Sequence, residues 1–531
     1  MDNNYSDLKV YNGDEPYIFV SYSHKNKEEV FKILEHISAC HYRLWFDEGL
    51  SPGDEFAKVL HNKIKNCCAM LIFLSDDVFN SNYCKFEIFT GYVLQKRLCP
   101  LHIQKNVKIP EEFTPIINSS HQLTLQETNI SDINGYIEKL PREAKDALII
   151  DEERHEIVAG ELYSSNVVIP KSIVSIHSGA YKGRHELRNI DFGPDLIQIG
   201  EEGFRSCESV ESLSIPGQVR VIGDSAFRDC INLKELHIAQ NSEGKSIEIG
   251  ERAFENCIKL QTVDLPIDLK EIFGGCFNSC KSLESILIPE EVTSIGENAF
   301  GGCSALRDIN IPQGVTKIDD LAFSGCSALT RIELKEGLLK IGKNAFKDCT
   351  ELIEISIPST VTKIGTSPFR GCTKLENIIV DKSRYLKHVD GVLFNKNKSQ
   401  LICFPANKHL DKDNNTYSIP DSVTEIGEWA FADCSFVEKI IIPDSVTEIG
   451  EGAFYKCKQL KSIEIPDSVL RIDDTIFRGC ENLTEVTISE SVIEIGWGIF
   501  SGCSPDMIVK CKKNSKIHLY CEEKQIQYQL I

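Results

Sequence analysis

Two hydrophobic patterns divide the chain near residue 160. Before it, short continuous apolar runs alternate with longer stretches in which apolar positions recur every three or four residues. YIFVSYS (17–23), RLWFD (43–47), AMLIFLS (69–75) and LCPLHIQ (98–104) read as strands, the third apolar until Ser75. HKNKEEVFKILEHISACHY follows the first with Val30, Phe31, Leu34 and Ile37 at helical spacing. AKVLHNKIKNC and DDVFNSNYCKFEIFTGYVLQKR continue the alternation as helices. Strands alternating with helices through brief loops predict a flavodoxin-like α/β domain, a parallel sheet with helices on both faces. Ligands of such sheets sit beyond the carboxyl ends of the strands, here 21–24, 47–56 and 75–87.

Beyond residue 164 the pattern becomes a repeat. Residues 288–310 read IPEEVTSIGENAFGGCSALRDIN, and the unit returns as IPQGVTKIDDLAFSGCSALTRIE, IPSTVTKIGTSPFRGCTKLENII and IPDSVTEIGEGAFYKCKQLKSIE. Twelve cysteines from Cys207 to Cys503 keep one register, and nine of their eleven intervals are 23 residues. Ile309 and Ile311 alternate with the strand period of two, and Pro312, lacking an N–H, stops that ladder. V-x-x-I-G predicts a second short extended piece closed by a glycine turn. A-F-x-x-C-x-x-L has helical spacing and predicts one or two turns that pack Phe and Cys inward. A unit this small cannot bury its apolar side alone, so neighbours must stack and share a core. The pattern resembles the BspA-type leucine-rich repeats, in about 13 copies over 165–505. The resemblance implies a β-rich solenoid, on the order of 60 Å long at the spacing of stacked strands. The first copy carries Arg184 where later ones carry Cys, which marks it as an N-terminal cap. Between Cys372 and Cys434 stand 39 residues beyond the period, near 381–419, and HVDGVLFNKNKSQLICFP within them predicts a hairpin standing off the rod. Residues 506–531 are expected to form a C-terminal cap.

Composition narrows the possibilities. A chain of 531 residues at 42% hydrophobic is too long for one core, in keeping with two units. The net charge is −21 and evenly spread: 17 Lys/Arg against 25 Asp/Glu in residues 1–160, 41 against 54 afterwards. Neither part has the basic footprint of phosphate binding, so nucleic acid is excluded as a partner. No apolar run approaches the roughly 20 residues of a membrane span. The start, MDNNYSDLKVYNGDEPY, lacks the charged-then-apolar order of a signal peptide, so a cytoplasmic location is expected. There the 21 cysteines stay reduced, and without CxxC pairs they act as small buried hydrophobes rather than metal ligands.

Three ordered motifs make the first domain specific. FVSYSH ends the first strand, WFDEGLSPGDEF forms the loop after the second, and LSDDVFNSNYCKFEI contains S-x-x-C-x-x-E as Ser81, Cys84 and Glu87. In these places the chain resembles a Toll/interleukin-1 receptor (TIR) domain over 15–140, preceded by a tail (1–14) and followed by a linker (141–164). Many TIR domains cleave the N-glycosidic bond of NAD, and others only self-associate as adaptors. The resemblance makes Glu87 the catalytic carboxylate, with Tyr83 packing on the nicotinamide. It places Tyr22 and Ser23 towards the nucleotide, and Asp47, Leu50 and Gly53 on the loop side. One carboxylate suffices, because the nicotinamide of NAD is already a pyridinium cation and departs neutral without a general acid. What the reaction needs is negative charge beside the ribose as it becomes oxocarbenium-like. A lone Glu on an amphipathic helix is ordinarily a solvated residue; the motif is what singles out Glu87. Cys84 reads as packing, since no base stands at a defined offset.

Together these readings predict a TIR-domain NAD nucleosidase coupled to a leucine-rich-repeat sensor, in immune or anti-phage defence signalling. NAD is expected as substrate rather than cofactor, with no cofactor and no metal. Other TIR domains are expected as partners through self-association, and an unidentified protein as ligand of the repeats. The rivals are a non-catalytic TIR adaptor and a host-directed virulence or adhesion protein.

Overall fold

The computed structural model describes residues 8, 10–12, 16–39, 42–47, 54–104, 106–118, 123–124, 137, 140–141, 144, 149–151, 153–160, 165–241, 246–410, 415–434 and 436–531. The chain forms two compact units, Met1–Ile149 with Gly160–Ser164, and Ile150–Ala159 with Ser165–Ile531.

The first unit holds β1 (Ile18–Ser21), α1 (Lys27–Ala39), β2 (Leu44–Trp45), α2 (Asp54–Asn66), β3 (Ala69–Leu74), α3 (Asp76–Asn80), α4 (Asn82–Val93), β4 (Arg97–His102), α5 (Thr114–Asn118) and β5 (Leu123–Thr124). Its five strands are parallel in the order β2-β1-β3-β4-β5. This is the doubly wound order, whose direction reverses between β1 and β3. Helices on the two faces bury two separate clusters. One joins Val20 to Phe31, Leu34 and Ile37 of α1, and the other joins Phe19 to Leu60 and Ile64 of α2 and Ile88 of α4. That is why β1 and β3 are buried throughout and read as continuous apolar runs. The single helix expected over 76–97 is instead two. Ser75 and Ser81 each accept a hydrogen bond from the backbone N–H three residues on, Val78 and Cys84, and so start α3 and α4 separately.

In the second unit the repeats stack in register. Ile286 pairs beside Ile309 on one ladder, and Ile272, Ile295, Ile318, Ile341 and Ile364 beside one another on a second. The glycine after the second strand is required by close approach: a Cβ at Gly296 would lie 2.7 Å from the backbone nitrogen of Gly274. The A-F-x-x-C segment is not helical. Asn298 and Gly302 take left-handed backbone angles, and the N–H groups of Asn298, Phe300 and Gly302 donate to Asp320, Ala322 and Ser324 of the next repeat. These donors alternate with turn bonds inside the repeat, from Ala299, Gly301 and Cys303 to the carbonyls of Gly296, Asn298 and Phe300, so the expected turns form and pack Phe and Cys inward while a third ladder runs along the stack.

Two side-chain columns run through the core. Tyr181, Phe204, Phe227, Phe254, Phe277, Phe300, Phe323, Phe346 and Phe369 stack with ring centroids 4.8–5.8 Å apart. Beside them the register cysteines from Cys207 to Cys372 and from Cys457 to Cys503 donate their thiols to the backbone carbonyl of the aromatic residue one repeat back. Cys303 reaches Phe277 and Cys326 reaches Phe300, both at 3.2 Å. The described cysteines are free thiols, and burial pushes Cys303 up to about 12, so the proton needed for donation is held.

Two features differ from expectation. Part of the 141–164 linker belongs to the repeat unit: β6 (Ile149–Asp151) and β7 (Glu156–Ala159) extend the ladder ahead of the first repeat, with Ile157 beside Ile176. The cap therefore begins before the copy that carries Arg184. The insertion does form a hairpin, but it does not stand off. Leu386–Val389, Val392–Asn395 and Gln400–Cys403 make an antiparallel meander whose third strand pairs parallel with Glu425–Ile426. Val392, Leu393 and Phe394 are fully buried, so the insertion is spliced into the stack. At the far end Ile508–Cys511, a helix over Lys516–Lys524 and Tyr528–Leu530 follow the last repeat.

The thiol column predicts that Cys303 and Cys326 resist alkylation in the native protein and react after unfolding, as read by mass spectrometry. Cys326→Ala should cost on the order of 1–3 kcal/mol, from a lost buried hydrogen bond and the space left by sulfur, in urea unfolding of the repeat unit. Rapid native labelling at either residue would contradict the column.

Candidate functional site

At the switch between β1 and β3, α4 lays one face across the end of β1. Ser81, Cys84 and Glu87 are spaced three apart and therefore share that face. Each makes a different contact. Ser81 caps the helix; the Cys84 thiol donates to the Tyr22 carbonyl at 3.3 Å; one turn on, Glu87 meets the last residue of the strand. There the Ser21 hydroxyl donates to Glu87 Oε2 at 2.6 Å. Ser21 is fully buried and Glu87 only 7% exposed. The S-x-x-C-x-x-E spacing is thus a docking face: cap, packing thiol, then carboxyl.

Glu87 is a carboxyl held largely out of water. Burial pushes its pKa up to about 8, the Ser21 hydrogen bond opposes that rise, and the Asp47 charge adds to it. Cys84 is pushed up to about 12, chiefly by burial and then by Glu87, so it is a protonated packing thiol and no nucleophile. Asp47 follows β2, with its carboxylate 3.7 Å from His24 Nε2 and its carbonyl accepting from the Tyr22 hydroxyl at 3.1 Å. Tyr22 also packs its ring against His24 and Phe31. Ser23 is buried and precedes the short turn His24–Asn26, and Asn26 accepts from the Ser75 hydroxyl at 2.7 Å, joining the ends of β1 and β3.

Of the residues singled out in the sequence, Tyr22, Asp47 and Glu87 converge at this strand end, with Ser23 beside them. Tyr83 stands one turn before Glu87 on α4, its ring 49% exposed. Leu50 and Gly53 lie outside the described residues. Ser21 was missed. Its signal was a hydroxyl closing an otherwise apolar strand, since a buried polar group there must find a partner. Among the described residues no group of three or more His, Cys, Asp or Glu is arranged to hold a metal, and no helix is long and apolar enough to cross a membrane.

Comparison with known proteins agrees with both units. Residues 18–137 match the TIR domain model, and 160–282, 270–400 and 406–527 match the BspA type leucine-rich repeat region, in six copies. The chain belongs to the BspA-type leucine-rich repeat proteins and carries an N-terminal TIR domain. Solved structures similar to it include a leucine-rich cell surface protein from Faecalibacterium prausnitzii A2-165, at 25% identity and a TM-score of 0.49, covering 70% of this chain and 94% of that one. A leucine-rich repeat protein from Bacteroides ovatus ATCC 8483 is also 25% identical, with a TM-score of 0.44, covering 73% and 98%. No curated protein gives a match.

Within the TIR domain, Glu87 binds its proton more tightly folded than unfolded, where a carboxyl titrates near its ordinary 4.5. Its contribution to stability is complete below pH 4.5 and is lost as pH rises through about 8. Glu87→Gln removes that dependence. The melting temperature of Glu87→Gln relative to the wild type should therefore climb from pH 5 to pH 9. A constant difference across that range would mean that Glu87 titrates as a solvated carboxyl.

Proposed function

We propose that the TIR domain cleaves NAD, with Glu87 as its catalytic carboxylate. The single observation that carries this reading is the carboxyl of Glu87 held out of water at the β1–β3 switch point, where doubly wound sheets bind nucleotides. In the reaction the bond from ribose C1′ to the nicotinamide nitrogen breaks, and its electron pair leaves with neutral nicotinamide. Water then adds to C1′ and releases a proton, giving ADP-ribose; attack by a hydroxyl or ring nitrogen of the same molecule gives a cyclic product instead. Positive charge grows on the ribose as the bond breaks. A carboxylate fixed in a water-poor site stabilises that charge more than a solvated one does. The exposed ring of Tyr83 supplies a face for the nicotinamide, and Asp47 a polar edge for ribose hydroxyls. The repeats bind a protein ligand and control how often TIR domains meet, in defence signalling in the cytosol.

A second reading, a TIR adaptor without catalysis, draws on the exposed apolar residues of α4, Tyr83 among them. Tyr83, Phe86, Phe89, Tyr92 and Val93 are between 41% and 59% exposed on this one helix, an apolar surface of the kind that binds a partner domain. The two readings separate in one experiment. The purified chain incubated with NAD should release nicotinamide at a rate that rises more than linearly with protein concentration, since assembly completes the site. Glu87→Ala should lower that rate at least a hundredfold without changing the assembly. Full activity in Glu87→Ala would overturn the catalytic assignment, and assembly without turnover at any concentration would favour the adaptor.

A further inference from the structure

We propose that Ser21 is a positioning residue for Glu87: its hydroxyl fixes the orientation of the carboxylate and favours the ionised form that the reaction uses. The inference rests on the reading of Glu87 as catalytic and adds a second chain element to the site.

The geometry is closely constrained. Ser21 is the last residue of β1, paired on the β3 side with Ile72, so its backbone is fixed by the sheet. Its hydroxyl is fully buried and donates to Glu87 Oε2 at 2.6 Å, the length of a hydrogen bond from a hydroxyl to a charged oxygen. Engaging Oε2 leaves Oε1, which has no hydrogen-bond partner among the described residues, as the oxygen to face a substrate. Glu87 is otherwise poorly provided for. Asp47 approaches from the end of β2 with like charge, and on α4 itself Cys84 is a neutral thiol that donates to the Tyr22 carbonyl. The Tyr22 hydroxyl is spent on the Asp47 carbonyl, and His24 faces the Asp47 carboxylate. Among the described residues no lysine or arginine forms an ion pair with Glu87. Ser21 is the described group whose contact lowers the cost of ionising Glu87, against burial and Asp47, which both raise it.

If Ser21 only filled space, Ser21→Ala would depress activity equally at every pH. If it holds the carboxylate, the deficit depends on pH, because losing the hydrogen bond makes Glu87 harder to ionise. Full-length wild type, Ser21→Ala, Ser21→Thr and Glu87→Gln should be compared in two ways. The first is the rate of nicotinamide release at pH 7 and at pH 9.5. Ser21→Ala should be slower by about tenfold at pH 7, because a smaller fraction of Glu87 is ionised there, and recover most of the loss at pH 9.5. Ser21→Thr, which keeps the hydroxyl, should restore wild-type behaviour. The second readout needs no activity: the infrared carboxyl band that is present in wild type and absent from Glu87→Gln, followed against pH. Its midpoint should move upward in Ser21→Ala and return in Ser21→Thr. An unmoved midpoint, or a deficit equal at both pH values, overturns the proposal. A moved midpoint in a protein that releases no nicotinamide upholds the hold of Ser21 on Glu87 and counts against the proposed reaction alone.

Discussion

A carboxyl taken out of water is the constraint on which the site depends. Glu87 can be buried because a hydroxyl waits for it at the end of β1, and the two meet because α4 restarts at Ser81. Without the break at Ser81, a continuous helix from residue 76 would hold its axis through Ser81 and could not re-aim there to lay this face on the strand end. The three motif residues therefore act in sequence: the cap sets the helix, the thiol seats it on Tyr22, and the carboxyl follows. The chemistry proposed for Glu87 draws on the same burial that makes its charge costly. A site that is expensive to ionise stabilises a neighbouring cation strongly once it is ionised.

The repeat unit answers a different demand. Each 23-residue unit exposes backbone donors along the stack, and the neighbouring units on either side satisfy them on three ladders. The aromatic and thiol columns fill the space between. Cysteine suits its position because it is small, apolar and still able to donate to a carbonyl at sulfur distance, and burial keeps its proton in place. Stability in such a stack is nearest-neighbour, so an insertion is tolerated where it restores the ladder on leaving. The meander after Cys372 does this by returning Gln400–Cys403 to the sheet beside Glu425–Ile426.

Much of this was legible in the sequence, for definable reasons. Strand and helix periods differ, so the alternation of the first unit and its parallel sheet could be read, as could the repeat from its consensus. The errors arose where spacing is ambiguous. A-F-x-x-C-x-x-L has helical spacing, yet only alternate N–H groups close turns within the repeat and the others pair with the next one, which no single unit reveals. The hairpin was placed by its β-rich runs, but its burial depends on a partner strand some 25 residues onward. Ser21 looked like the end of a core strand because periodicity weighs apolar residues and passes over the one hydroxyl. Tyr22, Asp47 and Glu87 were named through family resemblance, and their convergence is a property of the strand order rather than of any local pattern.

The central claim is that a buried carboxyl, harder to ionise than a solvated one, supplies the charge for cleaving NAD. The pH dependence of kcat/KM for nicotinamide release by the wild-type chain tests it most directly, since this ratio reports the free enzyme. The account predicts a rate that rises about tenfold per pH unit on the acid side and levels off near pH 8, where Glu87 ionises. A rate that is flat from pH 5 to pH 9, or that levels off near pH 4.5 like a solvated carboxyl, would contradict it.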